Sequence, residues 1–145
     1  MAELKPVEAA LSALLEGVQP LGSERIPCDR AAGRILAEPV AASLDVPPFD
    51  NSAMDGYALH HRDAGRWLRV SQRIAAGATG EPLAADSCAR IFTGGAIPEG
   101  ADCVVMQESV ETDGDWVRVP EGIPAGDNIR RRGRDVTAGG ELLPA

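Results

Sequence analysis

The chain has 145 residues, of which 44% are hydrophobic, and it carries a formal net charge of -8. This length and composition predict one globular domain or two small ones and argue against wholesale disorder. The acidic balance excludes the broad basic surface of a nucleic-acid-binding protein and the basic face that would attract an anionic membrane. We therefore expect neither nucleic acid nor membrane as a partner.

The sequence contains none of the usual membrane or export signals. No segment reaches the roughly 18 apolar residues of a membrane span, and the N-terminus lacks a basic segment followed by a long apolar stretch. Cys28, Cys88 and Cys103 are odd in number and widely spaced, which is typical of reduced thiols. These features predict a cytoplasmic protein.

The first predicted element is a helix over residues 6–18. Pro6 suits the first helical turn, and Gly17 and Pro20 mark the end. The apolar residues of one face recur at helical spacing: Val7, Ala10, Leu11, Leu14, Leu15 and Val18. This apolar stripe is expected to cover either the protein's own core or a partner subunit.

The next segment predicts weaker elements. Asp29 is placed to cap a short helix over residues 30–34, which Gly33 weakens. Residues 35–42 are apolar and β-branched but interrupted by Pro39, a pattern typical of an edge strand.

An acidic stretch over residues 45–58 follows. Two prolines stiffen its entry, and Asp55-Gly56 is typical of a tight turn. Phe49 and Tyr57, two of the chain's few aromatic residues, bracket it and are expected to anchor it. By composition alone, an anchored turn is favoured over a binding site. Asp50 and Asp55 also suit Mg²⁺, which takes one or two protein carboxylates, although acidic residues of loops more often only cap turns.

The rest of the chain predicts short strands separated by turn residues. We expect strands at residues 57–60, 68–71, 74–77, 89–92, 103–106 and 116–119. Asp113-Gly114-Asp115 is a hairpin signal. The sequence thus predicts an α+β fold that is mainly β, with an N-terminal helix and a β-rich module.

Two further motifs suit anions, and one pair of residues is a metal candidate that the pattern disfavours. Thr93-Gly94-Gly95 follows a predicted strand, where successive N–H groups form either an anion-binding nest or an ordinary loop. The run Arg130, Arg131 and Arg132 is suited to phosphate or oxyanion recognition, or is a solvated charge run. His60 and His61 are neighbours, and neighbours on a strand point to opposite faces, so we expect a surface pair rather than a metal site.

These motifs resemble those of a known family. Residues 45–58 closely resemble the signature of the molybdopterin molybdenumtransferases, the MoeA and gephyrin E-domain family. Three more segments agree in order and spacing: residues 90–102, 104–108, and 128–133 with Asp135. The resemblance covers essentially the whole chain.

The resemblance implies an activity, an assembly and a fold. Family members insert molybdate into adenylylated molybdopterin and release AMP, with a divalent cation such as Mg²⁺, in molybdenum cofactor biosynthesis. They are homodimers, so a homodimer is expected of the complete protein. Residues 1–44 would form a helical and extended dimerisation part, and residues 45–135 a β-rich module with bent, irregular sheets. Residues 136–145 would begin a return segment, with the chain ending before the pterin-binding domain.

The resemblance also implies site residues. Asp55 matches a motif aspartate needed for activity, Asp135 a second functional acidic position, and Thr93 a cleft threonine. The arginines match a basic triplet, so Arg130, Arg131 and Arg132, with Asn51 and Ser52, are expected to bind the anionic substrate. Asp55 and Asp50 are the expected Mg²⁺ ligands, and Asp135 is expected to assist or orient the arginines.

The missing pterin-binding domain leaves other interpretations open. The chain alone is expected to be inactive. It is either the N-terminal part of an enzyme, a dimerisation or scaffold module, or a small anion-binding module that uses the arginines alone. Retention of Asp55, Thr93 and Asp135 favours the enzyme.

Overall fold

The computed structural model describes residues 5–19 and 21–145. Contacts between residues divide the chain into two compact units, with the division after Pro39 and the second unit at Val40–Pro144. The predicted boundaries at residues 44 and 135 stay predictions. No helix in the described part of the chain is long and apolar enough to cross a membrane.

The first unit contains one α-helix among its described residues, α1 at Val7–Leu15, with Pro6 at its N-cap. The helix predicted from residue 6 therefore exists, but it ends three residues early. Its apolar stripe is exposed rather than buried. The helix predicted over residues 30–34 is wrong: a 3₁₀ helix at Cys28–Arg30 takes its place, and Gly33 at φ +77° lies in the left-handed region that ends helices.

The second unit is built on short strands. Their bounds are β1 Val40–Ala41, β2 Asn51–Ser52, β3 Gly56–Leu59, β4 Trp67–Ile74, β5 Ser87–Ile91, β6 Cys103–Met106, β7 Glu111–Asp113, β8 Trp116–Arg118, β9 Ile129–Arg130 and β10 Glu141–Leu143. A mixed six-stranded sheet has the order β6-β3-β5-β4-β8-β7, in which only β4 and β5 are parallel. Two-stranded ladders join β1 to β10 and β2 to β9. The predicted α+β, mainly β class is confirmed.

Strand bounds differ from expectation where pairing overrides the local pattern. The strand predicted at residues 68–71 is longer than expected and forms β4, which runs on to Ile74 because its pairing with β5 continues through a register shift between Val70 and Gln72. The Ser71 hydroxyl lies at this shift and donates to the Cys88 carbonyl, at 3.1 Å. The separate strand predicted at residues 74–77 is wrong, since residues 75–77 lie outside any strand. The edge strand predicted over residues 35–42 is reduced to β1. The hairpin around Gly114 is confirmed as β7 and β8.

The core lies on both faces of the sheet. Alternate residues of β3, β5 and β6 point to opposite sides, so neighbours such as Ala58 and Leu59 enter different clusters. One cluster comprises Leu59, Leu68, Cys88, Cys103, Val105, Val117 and Val119. The other comprises Ala58, Ile74, Ala89, Ile91 and Val104. Burial raises the pKa of the Cys88 thiol to about 12, so this sulfur behaves as an inert core group.

Gly56 is the first residue of β3, and a close approach explains it. The sequence predicts a tight turn at Asp55-Gly56, but Gly56 lies in the sheet, opposite Met106 of β6 and Ile91 of β5. A Cβ at this position would lie against the Val105 carbonyl, well inside van der Waals contact. Glycine is therefore required because the neighbouring backbone comes so near.

Candidate functional site

The two-residue strand β2 brings three distant motifs together. On one side it pairs with β9, with Asn51 opposite Arg130 and Ser52 opposite Ile129. On the other side the Ser52 N–H donates to the Gly95 carbonyl at 2.9 Å, within the Thr93-Gly94-Gly95 loop. The acidic stretch, the glycine loop and the arginine run therefore meet in one place.

Asp55 and Thr93 form a defined pair. The backbone N–H of Thr93 donates to Asp55 Oδ1 at 2.8 Å, and the Thr93 hydroxyl donates to the same oxygen at 2.9 Å. These two hydrogen bonds hold the pKa of Asp55 below its ordinary value, and the bond from the backbone N–H has the larger effect. Both residues are exposed. The pair is thus an ionised carboxylate, fixed through one oxygen and open to a ligand through the other.

This pairing argues against an anion nest in the loop. The Thr93 N–H is taken by Asp55, the Gly94 N–H donates to the Ser52 carbonyl at 2.9 Å, and the Gly95 N–H donates to the Phe92 carbonyl at 2.8 Å. A nest needs N–H groups that no protein acceptor has already engaged. Of the two alternatives for this loop, the hydrogen bonds favour the ordinary loop, and the carboxylate that it holds is Asp55 itself.

Asp50 is joined to the arginine run. Its Oδ2 accepts from the Arg131 guanidinium at 2.6 Å and its Oδ1 from the Arg132 backbone N–H at 2.8 Å. Burial raises the pKa of Asp50, but the Arg132 N–H and the Arg131 side chain lower it by more, so it lies below its ordinary value. Both oxygens of Asp50 are engaged.

Asp45 completes this cluster. It accepts a hydrogen bond from the Ala138 N–H at 2.8 Å and pairs with the Arg132 side chain. The pKa of Asp45 is lowered, mainly by the hydrogen bond from the Ala138 backbone N–H and to a smaller extent by Arg132. The sequence does not single out Asp45 as a partner for the arginines, because 87 residues separate it from Arg132.

Asp135 and Arg130 lie apart from these ion pairs. Within the described residues, the side chain of neither forms an ion pair within 4.0 Å, and both are exposed. The backbone N–H of Asp135 donates to the Val46 carbonyl at 2.9 Å. Asp50 and Asp45 thus hold Arg131 and Arg132, and the expected role of Asp135 toward the arginines stays a prediction.

Asn51 and Ser52 are buried and satisfied locally. The Asn51 side-chain amide donates to the Phe49 carbonyl at 3.2 Å, and the Ser52 hydroxyl donates to the Met54 carbonyl at 2.5 Å. Ser52 is fully buried. Their expected role in anion binding stays a prediction, but their hydrogen bonds shape the loop that carries Asp55.

Arg90 begins a segment that resembles the family's motifs, but the motifs assign it no role. Its guanidinium donates to the carbonyls of Gly56 at 2.9 Å and Ile91 at 2.8 Å and bonds the side chain of Gln107. The Gln107 N–H in turn donates to the Asp55 carbonyl at 3.1 Å. Arg90 therefore fixes the segments on either side of Asp55 and Thr93. Its position two residues before Phe92, on the same face of the predicted strand, was the available signal.

The histidines differ from expectation. β3 ends at Leu59 and a 3₁₀ helix begins at His61, so the alternation of a strand does not apply to His60 and His61. Their rings stack with centroids 4.8 Å apart. Both face Asp102, and the prediction that they diverge is wrong.

The chain is similar to known proteins over most of its length. The family model described as MoeA N-terminal region (domain I and II) matches residues 5–145. The molybdopterin molybdenumtransferase of Synechococcus elongatus is 40% identical over 148 residues, which cover 93% of this chain and 36% of that protein. The molybdopterin molybdenumtransferase of Haemophilus influenzae is 39% identical over 142 residues, with 94% and 35% covered.

A solved structure is similar over the same region. The crystal structure of the molybdopterin biosynthesis MoeA protein from Pyrococcus horikoshii superposes with a TM-score of 0.87 at 34% identity, covering 98% of this chain and 40% of that one. The chain spans about a third of the length of the curated relatives named above, 36% and 35%.

Proposed function

The chain belongs to the MoeA N-terminal region family, and on this basis we propose that it is the N-terminal part of a molybdopterin molybdenumtransferase. The proposed reaction is the insertion of molybdate into adenylylated molybdopterin with release of AMP. Support comes from a family match over residues 5–145 and from relatives that carry this enzyme's name.

The observation that carries the proposal is the Asp55–Thr93 pair. One Asp55 oxygen accepts both hydrogen bonds from Thr93, at 2.8 and 2.9 Å, which keeps the carboxylate ionised and fixed. A fixed, ionised and exposed carboxylate is suited to position a cation or a polar substrate group without reorganising. We assign Asp55 and Thr93 to the catalytic edge, with Asp135 as the second carboxylate.

The arginine run supplies the proposed anion site. The charges of Arg131 and Arg132 are already balanced by Asp50 and Asp45. These ion pairs therefore serve mainly to hold the arginine run in place. Arg130 forms no ion pair within the described part of the chain and is exposed, which leaves its guanidinium for molybdate or a substrate phosphate. We propose Arg130 as the principal contact, with Asn51 and Ser52 shaping the adjoining loop.

The donor set fits Mg²⁺ at Asp55 better than at Asp50. Mg²⁺ takes hard oxygen ligands and keeps several waters, and the second oxygen of Asp55 makes no hydrogen bond to any residue that the structure describes. Asp50 already holds a guanidinium at 2.6 Å, whose charge repels a cation. When bound at Asp55, the ion would neutralise substrate phosphate charge.

The complete enzyme is proposed to be a homodimer. The stripe on α1 exposes Val7, Leu11, Leu14 and Leu15, each more than half accessible, which is an unusual amount of apolar surface for one short helix. A second copy is the proposed cover for this stripe. Since the curated relatives are about three times as long as this chain, we propose that segments outside it supply the other wall of the active site.

The test uses the complete enzyme that contains this chain. Asp55→Ala should abolish molybdate insertion and AMP release while thermal unfolding and oligomeric state stay unchanged. Asp113→Ala, which removes an exposed carboxylate at a hairpin turn, is the matched control and should keep full activity. Normal insertion by Asp55→Ala would overturn the assignment.

A module without catalysis is the second candidate, favoured by the exposed α1 stripe and the arginine run. Such a module would dimerise or bind anions but would not need Asp55. Isothermal titration of the 145-residue chain with molybdate and with adenylylated molybdopterin separates the two, in combination with the activity test above. Tight molybdate binding by the chain, together with full activity of Asp55→Ala, would favour the module.

A further inference from the structure

We propose that His60, His61 and Asp102 form a binding site for one divalent transition-metal ion such as Zn²⁺. The site is independent of the proposed enzymatic function, and its test does not depend on that function. The ligand atoms of these three residues all lie within 4.8 Å of one another.

The backbone that carries the site is held by the pairing of two strands. β3 and β6 pair antiparallel up to Leu59 and Cys103, so the next residues along, His60 and Asp102, leave the ladder side by side. The Asp102 N–H donates to the Leu59 carbonyl at 3.0 Å, which extends the pairing beyond the last ladder position. Ligands fixed by a sheet lose little freedom when they bind an ion.

The 3₁₀ helix at His61–Asp63 brings the second imidazole to the same side. The His61 backbone N–H donates to Asp102 Oδ1 at 2.6 Å, which fixes the carboxylate and aims Oδ2 at both rings. Asp102 Oδ2 lies 2.6 Å from His61 Nδ1 and 3.7 Å from His60 Nε2. Metal bonds of about 2.0–2.2 Å place ligand atoms about 3–4 Å apart, so small side-chain rotations suffice.

Without an ion, hydrogen bonds hold the same groups. His61 Nδ1 is within hydrogen-bonding distance of Asp102, and His60 Nδ1 accepts from the Arg62 N–H at 3.2 Å. Ligation through His61 Nδ1 and His60 Nε2 moves each ring proton to the other nitrogen and breaks these bonds. The metal must outcompete them, so we expect a micromolar dissociation constant rather than a nanomolar one.

The donor set selects the class of ion. Two imidazoles and one carboxylate suit Zn²⁺, Ni²⁺ or Co²⁺, whereas Mg²⁺ and Ca²⁺ require mainly oxygen donors. The side chains of His60, His61 and Asp102 are 39%, 33% and 30% exposed, so an ion can enter and water can fill its remaining positions. Asp55 lies beyond the other end of β3, five residues from His60 or about 17 Å along an extended chain.

The chain is well suited to a direct test because its sequence contains only these 2 histidines. Cys28 is the one exposed cysteine, since Cys88 and Cys103 are buried, so Cys28→Ser removes the competing thiol. We expect ZnCl₂ at pH 7.5 to bind the Cys28→Ser chain with one-to-one stoichiometry and micromolar affinity in isothermal titration. The ring C–H signals of both histidines should shift in NMR spectra, whereas MgCl₂ should shift neither.

Variants assign the ligands. Asp102→Asn and His60→Gln should each weaken Zn²⁺ binding at least tenfold and remove the rise in melting temperature that Zn²⁺ gives the Cys28→Ser chain. Asp63→Asn is the matched control: Asp63 belongs to the same 3₁₀ helix but pairs with Arg66, so Zn²⁺ affinity should not change.

Each result decides the proposal. Unshifted histidine signals at saturating ZnCl₂ would overturn it, as would unchanged affinity in His60→Gln. Asp102→Asn could unfold the chain, because the His61 N–H would lose its acceptor. His60→Gln then decides the outcome, since among the described residues the His60 side chain accepts one long hydrogen bond, from the Arg62 N–H, and its loss should leave the fold intact.

Discussion

At the scale of single residues, the candidate site depends on carboxylates that the backbone keeps ionised. Asp45, Asp50 and Asp55 each accept one backbone N–H, from Ala138, Arg132 and Thr93 respectively, at 2.8 Å. A hydrogen bond to the charged form of a carboxyl group lowers its pKa. Charge at this site is therefore set by loop conformation as much as by the neighbouring arginines.

Thr93→Val should raise the pKa of Asp55 toward its ordinary value. The substitution removes the hydroxyl bond of 2.9 Å but keeps the backbone bond, so part of the lowering remains. Carboxyl ¹³C signals followed through an acid titration measure the change. Thr93→Ser keeps a hydroxyl and is the control, with the pKa of Asp55 unchanged. An equal pKa in both variants would contradict the role of the hydroxyl.

Acid should destabilise the fold partly through Asp50. Its pKa is lowered from 3.8 in the folded chain, so its ionised form stabilises the fold above that pH, and this contribution is lost as pH falls through the folded-state pKa. Because the side chain is 37% exposed, the contribution is below about 1 kcal/mol.

Urea unfolding between pH 6 and 2.5 tests this contribution. The free energy of unfolding of Asp50→Asn should fall less steeply below pH 4 than that of the unsubstituted chain. Asp113→Asn, at the exposed hairpin turn, serves as the control and should follow the unsubstituted chain. Parallel curves for Asp50→Asn and the unsubstituted chain would contradict the assignment.

At the scale of elements, β3 positions both clusters described here. Asp55 precedes it and His60 follows it, while its own four residues lie between β5 and β6 in the sheet. A change that shifts β3 against its neighbours would therefore disturb the candidate active site and the proposed metal site together.

Gly56→Ala should be such a change. The added Cβ would press on the Val105 carbonyl, which is backbone and cannot rotate away, so we expect a loss of about 1–3 kcal/mol in the free energy of unfolding. Gly22→Ala is the control, since nothing lies within 4 Å of its Cβ and its φ is not left-handed. Chemical denaturation compares the two. A neutral Gly56→Ala would show that β3 and β6 separate easily.

Elements differ in how far the sequence predicts them. β6 matches its predicted bounds because a continuous apolar run of this short length is typical of a buried strand, and its first three residues are buried. β2 and β9 are each two residues long, which is too short to show the alternation of apolar and polar residues that marks a strand. Their register nevertheless decides which carboxylate meets which arginine. The motifs thus pointed to the segments that the structure brings together, whereas the pairing of Asp50 and Asp45 with the arginines could not be predicted.

At the scale of the whole molecule, the exposed stripe of α1 gives the dimer proposal a direct test. Leu11→Glu with Leu14→Glu places charge on the stripe and should convert a dimer to a monomer in light scattering after size exclusion. Ser12→Glu adds a charge off the stripe and is the control, expected to remain dimeric. A dimer that persists in the double variant would place the interface elsewhere.

The ladder between β2 and β9 also constrains the order of folding. Asp50 and Arg132 are separated by 82 residues, and Asp45 and Ala138 by 93. Closing loops of this length costs more entropy than forming the β7–β8 hairpin, which needs only its own turn. During synthesis on the ribosome, Asp45 and Asp50 stay without their partners until nearly all of Val40–Pro144 has emerged. The candidate active site is therefore expected to assemble after the hairpin, when β9 and β10 pair with β2 and β1 in their two-stranded ladders.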